Sequence, residues 1–455
     1  MNQGNDRRHE TADIHDLLGV GFGPSNLALA IAIQEHNGRA PAAERISARF
    51  LERQPTFGWH RGMLIDDATM QVSFLKDLVT MRDPASDFSF LCFLKQRGRL
   101  VDFLNQKTLF PLRIEFHDYF TWAAERVADQ VVYGSQVVGV EPVLAADGRV
   151  RWFDVTSRDG GPDGALTVRR ARNICLATGL QPRLPVGLEP SDRIWHSHQL
   201  LHRMDALADH PPRRAVVLGA GQSAAEIVAY LHGAFPEAEV CAVFGKYGYT
   251  PADDSPFANR VFDPEGVDVY FQAPAEVKRS LMDYHRSTNY SAVDIDLIED
   301  LYRRQYQEKV RGSERLRMLN VSRLREARET PEGLDVEVEY LPTGERQRLR
   351  ADLLVCATGY TSQDPAALLG ETAKLCLRDE EDAFRVARDH RVLVADHVAA
   401  GIYLQGSTEH THGITATLLS HTAVRAGEIL DSLRTHGAGG DPTPNAALAL
   451  AADGG

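Results

Sequence analysis

Twice along these 455 residues an apolar strand runs into a glycine-rich turn and then into an apolar helix. The first instance reads Leu17-Leu18-Gly19-Val20-Gly21-Phe22-Gly23-Pro24-Ser25-Asn26 and continues from Leu27 to Ile33. The second reads Ala215-Val216-Val217-Leu218-Gly219-Ala220-Gly221-Gln222-Ser223-Ala224 and continues from Ala225 to Leu231. A turn this tight needs its first glycine for the reversal. The second glycine lets backbone N–H groups close on a pyrophosphate at the positive end of the helix. An acidic residue ending the next strand then grips a ribose hydroxyl, and Glu52, after Ala48-Arg49-Phe50-Leu51, is placed for that. Asn26 stands where a third small residue is usual, and its side chain can cap backbone groups near a bound cofactor. Two such units on one chain imply two dinucleotides, a flavin (FAD) beside a nicotinamide.

The expected FAD seat is therefore Gly21, Gly23, Pro24, Ser25, Asn26 and Glu52. The nicotinamide seat is Gly219, Gly221, Gln222 and Ser223, at the start of the second helix. No acid closes the strand Glu239-Val240-Cys241-Ala242-Val243-Phe244; Gly245-Lys246 follows it. A lysine there suits a 2′-phosphate, which favours NADPH over NADH. A solvated loop lysine is the alternative for Lys246.

Two further segments support a two-domain crossing. Asn173-Ile174-Cys175-Leu176-Ala177 ends in Thr178-Gly179, and Asp352-Leu353-Leu354-Val355-Cys356-Ala357 ends in Thr358-Gly359-Tyr360. Both read as strands returning beside a dinucleotide fold where the chain passes between domains. The fold class expected is α/β, with two Rossmann-like domains and a small, mainly helical substrate-binding region. Residues 15–208 read as the first part of the FAD domain, and 209–365 as the NADPH domain with a helical insertion around 253–310. Residues 366–434 read as a return to the FAD domain, with tails at 1–14 and 435–455. Helices are expected over Ala275 to Arg286, Ile295 to Gln305 and Thr415 to Leu433, and a hairpin around Pro342-Thr343-Gly344.

The bulk chemistry excludes several functions. Lys+Arg 50 against Asp+Glu 63 gives a net charge of −13, unsuited to nucleic acid or an anionic membrane as main partner. No apolar run approaches the ~20 residues of a membrane helix, and the N-terminus lacks the apolar core of a secretory signal. A cytoplasmic location is expected. Five cysteines, none in a C-x-x-C pair, support neither a disulfide framework nor a zinc site. They also count against a flavin disulfide reductase, which needs a redox pair beside the flavin. No metal is expected, since the 17 histidines show no ligand-like cluster beyond His410 and His412.

Further stretches carry a resemblance. Trp59-His60-Arg61-Gly62-Met63-Leu64, the run from Met70-Gln71-Val72 through Ser73-Phe74-Leu75-Lys76-Asp77-Leu78 to Thr80, and Asp83-Pro84-Ala85-Ser86 belong to it. So do Asp253-Asp254-Ser255-Pro256-Phe257-Ala258-Asn259, Thr288-Asn289-Tyr290-Ser291, Ala357-Thr358-Gly359-Tyr360 and His410-Thr411-His412-Gly413. Together they resemble the microbial N-hydroxylating flavin monooxygenases, the L-ornithine and L-lysine N-monooxygenases of hydroxamate siderophore pathways. The resemblance covers all but the tails.

It implies that NADPH reduces FAD, that oxygen adds at the flavin C4a position, and that the distal hydroperoxide oxygen passes to a side-chain amine. Retained NADP⁺ would help shield that intermediate. By resemblance Lys76 pairs with the α-carboxylate of an amino-acid substrate, Asn259 with its backbone groups and Asn289 with its side-chain amine. A surface lysine at a helix start and loop-capping asparagines are the alternatives. Trp59, His60 and Gln71 match residues beside the flavin ring, and Thr358, Gly359, Tyr360, His412 and Gly413 also match cofactor-proximal stretches. Relatives carry an arginine where this chain has Gly245, which keeps both readings of Lys246 open. No catalytic acid or base is named; the flavin carries the chemistry. The context of Lys76 favours L-ornithine, with O₂ as co-substrate, over L-lysine. A homo-oligomer is implied, with tetramers among the relatives. A Baeyer–Villiger or S-oxidising flavoenzyme is disfavoured because no F-x-G-x-x-x-H segment is present. A non-catalytic dinucleotide-binding redox protein is the alternative from another class.

Overall fold

The computed structural model describes residues 8–9, 14–253, 255–289 and 291–437, without the side chains of 8–9 and 286–289. The Asn289 side chain, Asp254, Tyr290 and most of both expected tails therefore lie outside the described residues.

His15–Val20 buries Leu17, Leu18 and Val20 on both faces, as a central parallel strand requires. It pairs in parallel with Ala48–Glu52 on one side and with Ala165–Leu176 on the other. The helix Pro24–Arg39 buries every residue from Leu27 to Ile33 against this sheet. Ala165–Leu176 is long enough to serve two neighbours. Residues along it pair antiparallel with Val150–Asp159, while Asn173 to Leu176 pair in parallel with Gly401–Leu404. A stretch 225 residues further on is thereby folded back into the first sheet.

The second sheet is wholly parallel, in the order Leu316–Leu319, Glu239–Val243, Arg214–Leu218, Leu353–Cys356, Ile194–His196. Ala215, Val217, Val240 and Ala242 face the helix Gln222–Ala234; Val216, Cys241, Val243 and Leu354 face an antiparallel meander, Ser322–Thr330, Gly333–Tyr340 and Glu345–Ala351. Ile194–His196 lies within the range read as FAD domain, yet it is an edge strand of the second sheet. Three residues carry no periodic signal, so a sequence reading has no means to place them.

The two returning segments meet. Leu180–Pro182, beyond Ala177-Thr178-Gly179, pairs antiparallel with Tyr360–Ser362, beyond Ala357-Thr358-Gly359. The insertion holds the helices Pro264–Gln272, Ala275–Asn289 and Ile295–Arg311. The latter two begin where expected and run further; the first, opened by Pro264 at its first position, carries too short a pattern to be read. Glu308 pins the last of them to the second sheet, bonding His232 at 2.7 Å and the N–H groups of Arg315 and Leu316. The final helix is Thr422–His436, seven residues later than expected, because residues 413–421 form two 3₁₀ turns separated by extended Leu418.

Candidate cofactor and substrate site

At the first fingerprint Gly21 has φ +83°, and a Cβ there would run into the Ala177 carbonyl oxygen. The next glycine differs: a Cβ on Gly23 would meet nothing within 4 Å. The helix that starts there has no side-chain cap and no acidic residue in its first turn. An open, uncapped helix start of this kind is an anion seat. Glu52 is buried and already receives the N–H groups of Phe22 at 2.6 Å and Gln54 at 2.8 Å, so a ribose contact would be added to a carboxylate that fastens the loop. Asn26 caps as expected, donating to the Gly21 carbonyl at 2.7 Å. Behind it Gln405 donates to Asn26 Oδ1 at 2.8 Å, and Arg425 reaches Ser25 Oγ at 3.2 Å.

The second fingerprint repeats the turn. Gly219 has φ +142°, and its Cβ would run into the Ala357 carbonyl oxygen. Around Gly221, however, a Cβ would lie 3.3 Å from Ser291 Cα. Gln222, expected at the pyrophosphate, has both ends of its amide committed inside the protein. It donates to Glu226 at 2.9 Å and accepts the Asp294 N–H at 2.8 Å. The insertion is thereby tied to the fingerprint helix, and Ser223 is the side chain at the helix start without such a tie among the described residues. Lys246 lies on the same flank, donating to the Ser291 carbonyl at 2.8 Å.

Between the two turns the domains share a cluster of rings. Trp59 packs edge-on against Phe120 at 5.2 Å and against His60 at 4.8 Å; Tyr360 stands edge-on to His60 at 6.2 Å and to His196 at 5.0 Å. His60 has φ +50°, and protein surrounds its ring while solvent still reaches it, the situation of a cleft wall. Burial, with Arg113 and His198 nearby, lowers its pKa to about 4. His196 is likewise brought to about 4 by burial, against the pull of the Gly359 carbonyl 2.9 Å from Nε2. Thr358 bonds the Arg183 carbonyl, so this turn joins the two returning segments.

Sequence reading missed the ion pair that crosses this gap. Arg113, at the start of the helix Arg113–Glu125, grips Glu226 through two bonds of 2.6 and 2.9 Å and also donates to the Met63 carbonyl at 2.9 Å. The partners lie 113 residues apart, and neither belongs to a motif.

Lys76 is half-buried, and among the described residues it has no carboxylate at ion-pair distance. Its loop is rigid. Asp77 accepts the N–H groups of Val79, Thr80 and Phe90 at 2.9, 2.7 and 2.7 Å; Tyr119 accepts that of Leu78 and donates to the Phe88 carbonyl. Burial lowers the pKa of His421, with the charges of Arg425 and then Lys76 acting the same way, and His421 bonds the Phe262 carbonyl at 2.6 Å. Phe262 ends the 3₁₀ turn Ala258–Phe262 that carries Asn259. The Lys76 loop, the chain return and the Asn259 turn thus converge. Gln71 is exposed on the same loop. His412 is buried instead: it stacks on His390 at 4.2 Å, with its ring nitrogens on Thr411 Oγ1 and the Arg388 carbonyl. Gly413, with φ +72°, lies against the Tyr270 ring of the insertion. Both help fix the chain return, and His412 also lines a small cavity with His390, Arg425 and Glu428.

The comparisons agree with this geometry. The family model for L-lysine 6-monooxygenase/L-ornithine 5-monooxygenase matches residues 13–362. An L-ornithine N(5)-monooxygenase of Burkholderia cepacia is 42% identical over 88% of this chain and 90% of its own. The ornithine N-hydroxylase of Kutzneria sp. 744, solved with reduced FAD, NADP⁺ and L-ornithine, superposes with a TM-score of 0.88 at 45% identity. That superposition covers 92% of this chain and 99% of the relative. The L-lysine 6-monooxygenase of Pseudomonas syringae superposes at 0.81 with 30% identity, over 92% and 99%. Two dinucleotide folds joined at paired returning strands, with a match along most of the chain, lead to one conclusion: this chain belongs to the L-lysine 6-monooxygenase/L-ornithine 5-monooxygenase family.

Proposed function

We infer that the chain is a flavin-dependent monooxygenase that hydroxylates the side-chain amine of L-ornithine at N5, with FAD, NADPH and O₂. The observation that carries the choice of an amino-acid substrate is Lys76: a rigidly presented ammonium without a carboxylate of its own, beside the turn of Asn259. Greater likeness to ornithine than to lysine hydroxylases supports the shorter amine. One methylene is worth only about 1–3 kcal/mol in a pocket, so lysine is the second reading.

The residues fit both cofactors. The uncapped helix start at Gly23 suits the FAD pyrophosphate, and Ser223 with Lys246 suits NADPH. FAD reduced by NADPH supplies the activated oxygen; the chain supplies binding and exclusion of water. In this reading Lys76 holds the α-carboxylate as a point charge, Asn259 holds the backbone groups, and Asn289 orients the side-chain amine. Trp59, His60 and Gln71 border the flavin ring, and Tyr360 closes the cleft at the domain crossing.

All five cysteines are free, and no helix of the described residues is long and apolar enough to cross a membrane. Both fit a reducing cytoplasm, where the product would feed hydroxamate formation. Exposed Val101, Leu104, Leu109 and Phe110 support self-association.

The test is product analysis with FAD-loaded enzyme, NADPH and oxygen, ornithine and lysine side by side. N5-hydroxyornithine in step with NADPH use is expected. Hydroxylysine alone would move the substrate, and hydrogen peroxide alone from both would overturn the reading.

A further inference from the structure

Arg425 is 4% exposed and sits on the inner face of the helix Thr422–His436. Its guanidinium makes three bonds, to Gln405 Oε1 at 3.3 Å, the Ala416 carbonyl at 2.7 Å and Ser25 Oγ at 3.2 Å. All three partners are neutral. Glu428, one turn along, is held by Arg388 at 2.8 Å and His390 at 2.9 Å. The nearby Cys175 thiol is kept neutral, its pKa pushed up to about 12 by burial. Burial brings the guanidinium's pKa down to about 10, and Glu428 opposes that only from a distance. A buried cation with no anion bonded to it is disfavoured, and an arriving anion would stabilise it.

The direction from which it would arrive is marked. Ser25 is the second residue of the uncapped helix Pro24–Arg39, directly after the open space at Gly23. A second route runs from Arg425 through Gln405 to Asn26, and from Asn26 to the Gly21 carbonyl, so both sides of the turn are tied to one guanidinium.

We propose that Arg425 is the counter-charge of the FAD pyrophosphate, acting from behind the helix start through Ser25 and Asn26. It is a positioning residue that couples the chain return to flavin retention. The proposal rests on FAD occupying the first fingerprint.

The experiment uses full-length apoenzyme, with the second fingerprint saturated by NADP⁺. FAD is titrated by flavin fluorescence, and ADP is measured as its competitor. Arg425→Met should weaken FAD and ADP alike, by thirtyfold or more. The apoenzyme Tm should stay level or rise, because a desolvated charge has been removed. Arg425→Lys should recover both affinities to within about fivefold of wild type, and NADP⁺ affinity should stay within twofold in both variants. Affinities of Arg425→Met within threefold of wild type would overturn the proposal. So would an Arg425→Lys protein that folds yet binds as poorly as Arg425→Met, since shape rather than charge would then matter. Should Arg425→Met not fold, the lysine variant decides: FAD and ADP affinities within about fivefold of wild type support the proposal, and a greater loss in a folded Arg425→Lys protein overturns it. A wild-type protein that takes up no FAD would instead sink the cofactor reading beneath the proposal.

Discussion

Gly21 and Gly219 each rest on the carbonyl of the alanine that opens an Ala-Thr-Gly turn, Ala177 in the first sheet and Ala357 in the second. One residue pair further along, the two seats diverge. Gly23 faces open space with a buried cation behind the helix start, whereas Gly221 is flanked by the chain itself at Ser291 and its helix is tied to the insertion through Gln222. The two seats thus offer different things to a dinucleotide. The first gives unshared room with a fixed charge behind it, and the second is built partly from the insertion, so that a ligand there and the insertion bear on one another.

The largest effect should come from the shared feature. Gly21→Ala places a Cβ on the Ala177 carbonyl in a left-handed conformation, at a cost of several kcal/mol. The protein should be recovered without flavin and with a lower Tm. Gly219→Ala should keep its flavin and lose NADPH oxidation. Flavin retained in Gly21→Ala would break the assignment of the first seat.

Next comes the feature that separates the seats. Gly23→Ala meets no protein atom, so the apoenzyme Tm should stay within about 1 °C while the FAD Kd rises tenfold or more, about 1.4 kcal/mol. Gly221→Ala presses on Ser291, which must yield by tenths of an ångström. A threefold rise in the NADPH KM is expected there, read by steady-state kinetics. Equal effects in the two variants would mean that the seats do not differ in the way the geometry indicates.

Lys76→Ala should raise the ornithine KM by tenfold or more, with kcat changed less and flavin content unchanged. The loop would survive, because Asp77 and Tyr119 hold it independently of the lysine. An unchanged KM would remove the carboxylate contact and with it the main support for an amino-acid substrate.

Both turns and their strands were legible because each element is local: a few glycines, an apolar strand and a helix in fixed order. The alanines that the glycines rest on were not, since each lies more than a hundred residues away. Arg425 was not, since it meets Ser25 across 400 residues. A signal was present all the same. On the last helix Ala426, Ile429 and Leu433 form an apolar stripe, and an arginine at 425 lies on that buried face. Arg113 and Glu226 carried no such mark. The late start of the last helix has a related cause, because the Ala416 carbonyl is bonded by Arg425, within a stretch that folds as 3₁₀ turns. The tie from Gln222 to Asp294 was not legible either, because Asp294 lies 72 residues from the fingerprint.

The smallest expected effect tests the ring cluster joining the two seats. His196 is neutral in the folded protein, with a pKa of about 4 against 6.5 for an unperturbed side chain. Between these values the unfolded chain binds the proton and the folded protein does not. Stability therefore falls as pH drops from 6.5 towards 4, by up to about 1.4 kcal/mol per pH unit from this group. Above pH 7 both states are neutral and the contribution is flat. His196→Gln keeps an N–H for the Gly359 carbonyl but removes the titration, so its Tm should decline less steeply than wild type between pH 6.5 and 5. Parallel declines would mean that His196 takes up its proton without unfolding, and that the junction between the two dinucleotide seats is wet enough to hold a charge.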